Sequence, residues 1–478
     1  MNYRLVINVL GLALILEAAF MILPAICAVC FAETEVWAFV ICSLICLAAG
    51  LLLKCIAPKH RRLYAKEGLA AVSLSWIFMS IFGAFPFVIS GAIPNFIDAF
   101  FETVSGFTTT GATILTDVEV LPKSIAFWRS FTHWIGGMGV LVFLVSLLRL
   151  SGGNNLYLLK AESTGPSVGK LVPKVQSTAK ILYAIYTFLT VLQTVLLLAG
   201  GMSFFEAITT AMGTAGTGGF GIKNDSLAGY SSYIQNVVTV FMLIFGVDFS
   251  VYYLLLLRKF SAAVRSEELR WYLGIVVVST VLICLNITDM FDNAFQAFKH
   301  SAFQVASIIT TTGFATTDFD LWPQFSKTIL VVLMFVGACA GSTGGGMKVS
   351  RILIAFKTIV KELKITAHPK STHKITMNGR IVEHETIRSI NVYMIAYFAI
   401  FGLSLLVVSL DNFNFTSNFT AVAATINNIG PGLDAVGPVQ NFSQYSMLSK
   451  LVFTFNMLVG RLEVFPMLIL FSPYTWKK

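Results

Sequence analysis

Residues Ser301 to Asp318, SAFQVASIITTTGFATTD, begin as an apolar helical pattern and stop at Thr310-Thr311-Thr312-Gly313 before the chain turns polar. Ten or so helical residues rise only ~15 Å, about half of a ~30 Å hydrocarbon core. A half-helix that ends in a Thr/Gly loop at membrane depth must be sheltered by protein or line a watery cavity, because lipid cannot satisfy its backbone groups. The chain around it is 56% hydrophobic and 12% charged over 478 residues, with a mean hydropathy of +0.79. That composition excludes an ordinary soluble globule and indicates a polytopic membrane protein.

Apolar runs long enough to span fall near 5–29, 36–57, 69–91, 124–148, 179–201, 233–257, 269–287, 327–349, 388–410 and 448–472, ten in all. The first is longer than the apolar core of a signal peptide and reads as a helix. Between the spans, four segments at about 92–123, 202–232, 288–326 and 411–447 lie on one side and hold more than a plain loop. That side carries six basic residues, Lys123, Arg129, Lys223, Lys299, Lys327 and Lys450, against twenty-six on the other once Arg461 inside the last span is set apart. By the positive-inside rule both termini are cytoplasmic and the four segments face out. The formal charge of +9 is thus a topology signal in a chain surrounded by membrane lipid, with no nucleic-acid partner expected. Glu33, Glu35, Asp117, Glu119, Asp225, Asp318, Asp320 and Asp434 on the outer side would make a vestibule that attracts cations, or would simply be polar loop residues. The basic loops 149–178 and 350–387, the latter including Lys370, read as solvated faces near anionic lipid.

Aligned on one glycine each, the four outer segments give Gly111, Gly219, Gly313 and Gly430, separated by 108, 94 and 117 residues. Thirteen positions earlier stand Asp98, Glu206, His300 and Ser417, read as helix starts, where acids suit the dipole. Six positions earlier stand the small residues Ser105, Gly213, Ser307 and Ala424, suited to close helix packing. The residues before each glycine are Thr108-Thr109-Thr110, Gly216-Thr217-Gly218, Thr310-Thr311-Thr312 and Asn427-Asn428-Ile429. One module used four times around an axis would bring four loops together, and their backbone carbonyls can replace the water around a monovalent cation.

These motifs, with Thr108 to Thr113 (TTTGAT), Thr310 to Thr317 (TTTGFATT), Asn427 to Gly432 (NNIGPG), Ala340 to Lys348 (AGSTGGGMK) and Gly460 to Pro466 (GRLEVFP), resemble the Trk/Ktr/HKT superfamily of potassium transporters, specifically the TrkH-type membrane subunit. The resemblance covers almost the whole chain. It implies an all-α fold of ten transmembrane helices and four re-entrant half-helices, arranged as four M1-P-M2 units around one potassium pathway. The corresponding divisions are 1–66 for two extra N-terminal helices, then 67–160, 161–265, 266–365 and 366–478 for the four units. It also implies a homodimer in a bacterial inner membrane and a cytosolic nucleotide-binding regulatory subunit of the TrkA type. Potassium is the transported ion, held at Thr108 to Gly111, Gly216 to Gly219, Thr310 to Gly313 and Asn427 to Gly430, and no other cofactor is expected. All four loops keep the glycine, which by family analogy favours potassium, since a serine in the first loop marks sodium-preferring plant members.

Gly341-Ser342-Thr343-Gly344-Gly345-Gly346 interrupts an otherwise apolar span, and glycine this dense breaks a helix. In the resembled family the matching stretch obstructs the pathway until gating moves it, which assigns Gly344, Gly345 and Gly346 to a gate. Arg461 sits within the last span and must face a pore or an acid, because an arginine at the bilayer centre costs ~2.5–3.5 kcal/mol. The family places its matching arginine below the filter as a barrier to cations, whereas pairing with Glu463 is the structural alternative. Asp248 stands where the resembled family usually carries Asn; ionised it would attract cations, and protonated or paired it would not. Glu17, inside the first span, is expected to pack or to hydrogen-bond between helices.

Cys27, Cys30, Cys42, Cys46 and Cys55 have no histidine cluster beside them and read as small apolar filling. Gly216, Gly218 and Gly221 match a dinucleotide fingerprint without its strand, and Gly341 to Lys348 has Met347 where a phosphate loop needs lysine. No catalytic constellation is present, and His133 beside Trp134 reads as an interfacial residue. The sequence therefore reads as a potassium-uptake pore, not an enzyme. The alternative is a potassium cotransporter with sodium or protons, for which Asp248 and Glu17 are the available internal acids.

Overall fold

Long apolar runs with no water to bond their backbone must bond it internally, and this chain does so almost entirely as α-helix. A computed structural model describes residues 1–56, 65–139, 175–369 and 372–476. Among them, six stretches are long and apolar enough to cross a membrane: Tyr3–Cys30, Val36–Lys54, Lys66–Ile89, Ala179–Ala199, Glu267–Met290 and His384–Asp411. The first is built from α1 (Tyr3–Phe20) and α2 (Ile22–Cys30), the second is α3 (Val36–Lys54), and the third lies in α4 (Ala65–Ile89). Gly11 of α1 and Gly50 of α3 face each other so closely that a Cβ on either would stand 2.7–2.8 Å from the other's carbonyl oxygen. Small residues at that crossing let the two backbones approach. Glu17 of α1 is fully buried, and neither carboxyl oxygen has a hydrogen-bond partner, so of the two expected roles packing is the one observed.

Three expected spans are not continuous helices. The run at 233–257 is α9 (Ser232–Phe245) and α10 (Phe249–Leu256), bent by 90° at Gly246 to Asp248. The run at 327–349 is helical only as α14 (Gln324–Val336); Gly337 takes φ +70° and the chain stays non-helical to Lys348, so the interruption starts four residues before Gly341. The last run stops at Arg461, the end of α18 (Met447–Arg461), and restarts as α19 (Phe465–Phe471) after the left-handed Glu463 and Val464. Of the span at 124–148, α6 (Lys123–Met138) is described. Its continuation at 140–148, most of the 149–178 loop, the unit boundary at 160/161 and Lys370 lie outside the described residues.

Between these elements lie four short helices: α5 (Phe96–Phe107), α8 (Phe204–Ala215), α13 (Ala294–Ile309) and α17 (Phe415–Ile426). At 12, 12, 16 and 12 residues they are too short to span. Each begins at a side-chain cap that satisfies an orphan N–H: Asn95, Ser203 in a capping box with Glu206, Asn293 and Asn414. Asp98, Glu206 and Ser417 fall in the first turn as expected of helix starts. His300 does not; Asn293 caps α13 more than a turn earlier, and His300 Nδ1 meets Thr316 Oγ1 at 3.0 Å instead.

Candidate functional site

The four short helices end in one local geometry. The amide of the residue before each glycine bonds the carbonyl five residues back: Thr110 to Ser105, Gly218 to Gly213, Thr312 to Ser307 and Ile429 to Ala424, at 2.8–2.9 Å. The preceding amide bonds three back, from Thr109, Thr217, Thr311 and Asn428. This pair of bonds is a Schellman cap, and its left-handed residue is Thr109, Thr217, Thr311 or Asn428 at φ 54–59°. A non-glycine residue in that region is disfavoured by roughly 1–2 kcal/mol, so four such residues persist only because their surroundings over-determine them. The small residues six before each glycine thus supply the carbonyl that closes each cap.

The loops then meet in a closed cycle. A Cβ on Gly111 would overlap the carbonyl oxygen of Gly218, one on Gly219 that of Thr312, and one on Gly313 that of Ile429. Gly430 returns to the start, its Cβ position 2.9 Å from the Thr110 oxygen. All four glycines have φ between +76° and +99°. Behind the backbone, Thr108 and Thr110 share a hydroxyl bond of 2.8 Å, as do Thr310 and Thr312, while Thr108 and Thr310 also donate to the carbonyls four residues back. In the fourth loop Asn427 accepts from Tyr397 Oη at 2.8 Å, and Asn428 donates to Thr110 Oγ1 and to the Met457 carbonyl. Each glycine thus abuts a backbone carbonyl of the next loop, and the four contacts close the loops into one cycle.

The non-helical segment 337–348 lies against the ring. Gly345 N donates to Thr311 Oγ1 at 2.6 Å, Gly346 N to the Asn427 carbonyl at 3.1 Å, and the Gly344 Cβ position is 2.9 Å from the Thr310 carbonyl. Arg461 reaches the same segment, donating to the Thr343 carbonyl at 2.7 Å and to the Gly136 and Gly137 carbonyls of α6 at 2.5 and 2.8 Å. Glu463 pairs with Arg351. The segment also stitches to the break in the second unit: Cys339 N donates to Gly246, Phe249 N to Gly341 and Thr343 Oγ1 to Phe245. Asp248 caps α10 through Ser250 N.

The TrkH family, described as cation transport protein, matches residues 34–478. The chain belongs to the TrkH family. It is 36% identical to the Trk system potassium uptake protein TrkH of Salmonella typhimurium and to that of Escherichia coli K12, covering all of both chains in each case. The TrkG protein of E. coli K12 is 32% identical over all of this chain and 99% of its own. The crystal structure of the potassium transporter TrkH from Vibrio parahaemolyticus superposes with a TM-score of 0.89 at 33% identity, covering all of both chains. The family is a transporter class.

In this TrkH-family chain several charged residues near the ring are not the ones its sequence points to. A cavity of about 130 Å³ is lined by all four ring glycines, and its charged lining residues are Arg129 and Lys223. None of the acids expected to form a negative vestibule lines it. Glu33 accepts from Lys123 N and Ser124 N, and Asp434 N donates to Asp320. The Asn224 amide beside Asp117 holds that carboxyl below the usual range. Arg129, only 2% exposed, pairs with Glu102 of α5 at 2.8 Å and lies 4.1 Å over the Phe220 ring. Removing one partner of a buried pair costs ~3–5 kcal/mol, whereas replacing both by apolar residues is often neutral. Glu102→Gln should therefore lower the unfolding temperature of the purified protein in detergent, and Glu102→Met with Arg129→Met should recover most of the loss.

Other residues carry less of a signal along the chain. Glu268 of α12 (Glu267–Ile287) accepts from Ala340 N inside the non-helical segment and from Ser350 N in the first turn of the helix that follows it, and Lys348 donates to the Gly344 carbonyl inside the segment. His133, expected at a membrane interface, is wholly buried behind the second loop. His133 stands inside an apolar run, which is a signal in the sequence, whereas Glu268 stands beside Ser266, Glu267 and Arg270 and carries none.

Proposed function

We propose that this chain takes up potassium through a channel-like pore whose selectivity filter is the carbonyl ring. The observation that carries this reading is the closed cycle in which each ring glycine abuts a carbonyl of the next loop. The related proteins are potassium uptake proteins by name, which supports potassium as the ion. Thr108 to Gly111, Gly216 to Gly219, Thr310 to Gly313 and Asn427 to Gly430 supply the oxygens. The broken runs count as full crossings in this reading, giving ten spans and four M1-P-M2 units. The imbalance of six basic residues against twenty-six favours both termini in the cytoplasm. Gly344, Gly345 and Gly346 close the inner side of the ring, and Arg461 holds that closure while opposing cations with a fixed charge. A second copy of the chain and a TrkA-type nucleotide-binding subunit on the cytoplasmic side complete the system.

The cotransporter reading has less support, since of its two candidate acids Asp248 is engaged as a helix cap and Glu17 is sealed from solvent within α1 packing. Purified protein in liposomes should carry potassium and rubidium well ahead of sodium. Its reversal potential should follow the potassium gradient and stay put when sodium or proton gradients are imposed separately. A shift with either of those gradients would replace the pore with coupled transport.

A further inference from the structure

The second loop is the odd member of the ring. Where the first and third loops place hydroxyl-bonded threonine pairs, it has Gly216 and Gly218, and the bond from Thr217 Oγ1 goes only to the Gly216 carbonyl. Its amides still make the shared cap, so the missing side chains leave its back bare. His133 of α6 fills that space. A Cβ built on Gly218 would fall within the His133 imidazole, and one on Gly216 would overlap the His133 carbonyl oxygen. The ring stacks on Phe220 at 4.2 Å between centroids and 28° between planes, one residue beyond Gly219.

The matching helices show how unusual this is. Gly137 and Gly246 each approach a tyrosine hydroxyl and the first residue of the following loop, Gly216 or Thr310, and four residues before them stand His133 and Met242. Gly136 and Gly460 each approach the carbonyl that ends their own short helix, Phe107 or Ile426, and three residues before them stand His133 and Met457. Where α6 has His133, the matching positions of α9 and α18 thus carry methionine, a side chain with no ring and no polar nitrogen. His133 is fully buried and neither Nδ1 nor Nε2 has a hydrogen-bond partner. Leaving two polar atoms unpaired is unfavourable, and a methionine would avoid it. The imidazole's flat, stiff shape is what fits between a side-chain-free backbone and an aromatic ring.

We propose that His133 is a specificity-determining positioning residue: its imidazole replaces the absent threonine pair as the back wall of the second loop and so fixes the Gly216 and Gly218 carbonyls in the ring. This rests on reading the ring as the ion filter. Without the wall, the loop relaxes backward and the ring admits a wider range of cations.

The test is rubidium and sodium flux in liposomes at matched amounts of folded protein. His133→Ala should lower the rubidium to sodium ratio about tenfold, in line with the sensitivity of positioned groups to small displacements. His133→Met, which keeps α6 packed, should lower it as well. Gly218→Thr should abolish flux, and His133→Ala with Gly218→Thr should restore both flux and ratio, because the threonine occupies the vacated space. A wild-type ratio in His133→Met, or a double variant no better than Gly218→Thr, overturns the proposal. Gly219→Ala separates the two levels: if it abolishes rubidium flux while the His133 variants keep the wild-type ratio, the filter reading stands and the role of His133 falls; if its flux and ratio both stay at wild type, the filter reading itself falls.

Discussion

Alanine at Gly111, Gly219 or Gly313 should abolish potassium flux in reconstituted protein, while alanine at Gly430 should reduce it only about tenfold. All four glycines have positive φ, where a Cβ is disfavoured by roughly 1–2 kcal/mol, and that strain is common to the series. The difference lies in what the new methyl meets. At the first three positions it overlaps a carbonyl oxygen of the next loop, and that oxygen cannot yield without leaving the ring. At Gly430 the nearest atoms are the Thr110 oxygen at 2.9 Å and the Gly111 carbonyl group at 3.0–3.1 Å, so a shift of a few tenths of an ångström accommodates it. Potassium-selective flux, measured beside the melting temperature of each variant, checks the order. Equal losses at all four positions would mean that backbone strain dominates and that the packing of neighbouring carbonyls has no role in conduction.

Gly345→Ala should have the opposite sign, raising flux. Gly345 does not need a left-handed backbone, since its φ is not among the positive ones. Its Cβ, however, would overlap the Asn427 carbonyl oxygen and touch the Asn428 side chain at 3.1 Å. The methyl group therefore disfavours the seated segment without disfavouring a displaced one. Arg461→Ala should act the same way by a different route. It removes charge-assisted bonds to Thr343, Gly136 and Gly137, each worth ~1.5–3 kcal/mol, together with a fixed positive charge beneath the ring. Loss of even one such bond shifts a two-state segment by at least about tenfold. Single-channel recording or liposome flux should show higher open occupancy in both variants. Unchanged or lower flux in Gly345→Ala protein that still folds would rule out this segment as the gate; in Arg461→Ala, loss of folded protein instead of gain of flux would make Arg461 a structural brace.

The membrane class, the four glycines and the Thr/Gly loops around them were legible from the chain alone, because hydropathy and spacing are one-dimensional properties. A twelve-residue apolar helix flanked by polar residues carries its shortness in its sequence. The glycine run at 341–346 likewise marks a broken span, although α14 already ends at Val336. Helix ends were less legible: His300 sits at the right distance from Gly313 to start a helix, yet Asn293 caps α13 earlier because an Asx side chain satisfies free amides better than a histidine does. The outer acids left two readings open, a negative vestibule or plain polar loops; none of them lines the cavity over the ring, whose charged lining residues are Arg129 and Lys223.

Which loop follows which around the ring is a matter of tertiary structure, as is the pairing of every charge near it. The Arg461 partners lie 118 to 325 residues away, and Glu463 meets Arg351 across 112. Local sequence determined where the apolar helices of this chain must stop, since glycine-dense and capped positions break a helix wherever they fall. Only the fold decided what each turn faces, since a buried charge or a bare glycine backbone takes its partner from whatever distant helix packing brings within reach, as His133 is brought to Gly218.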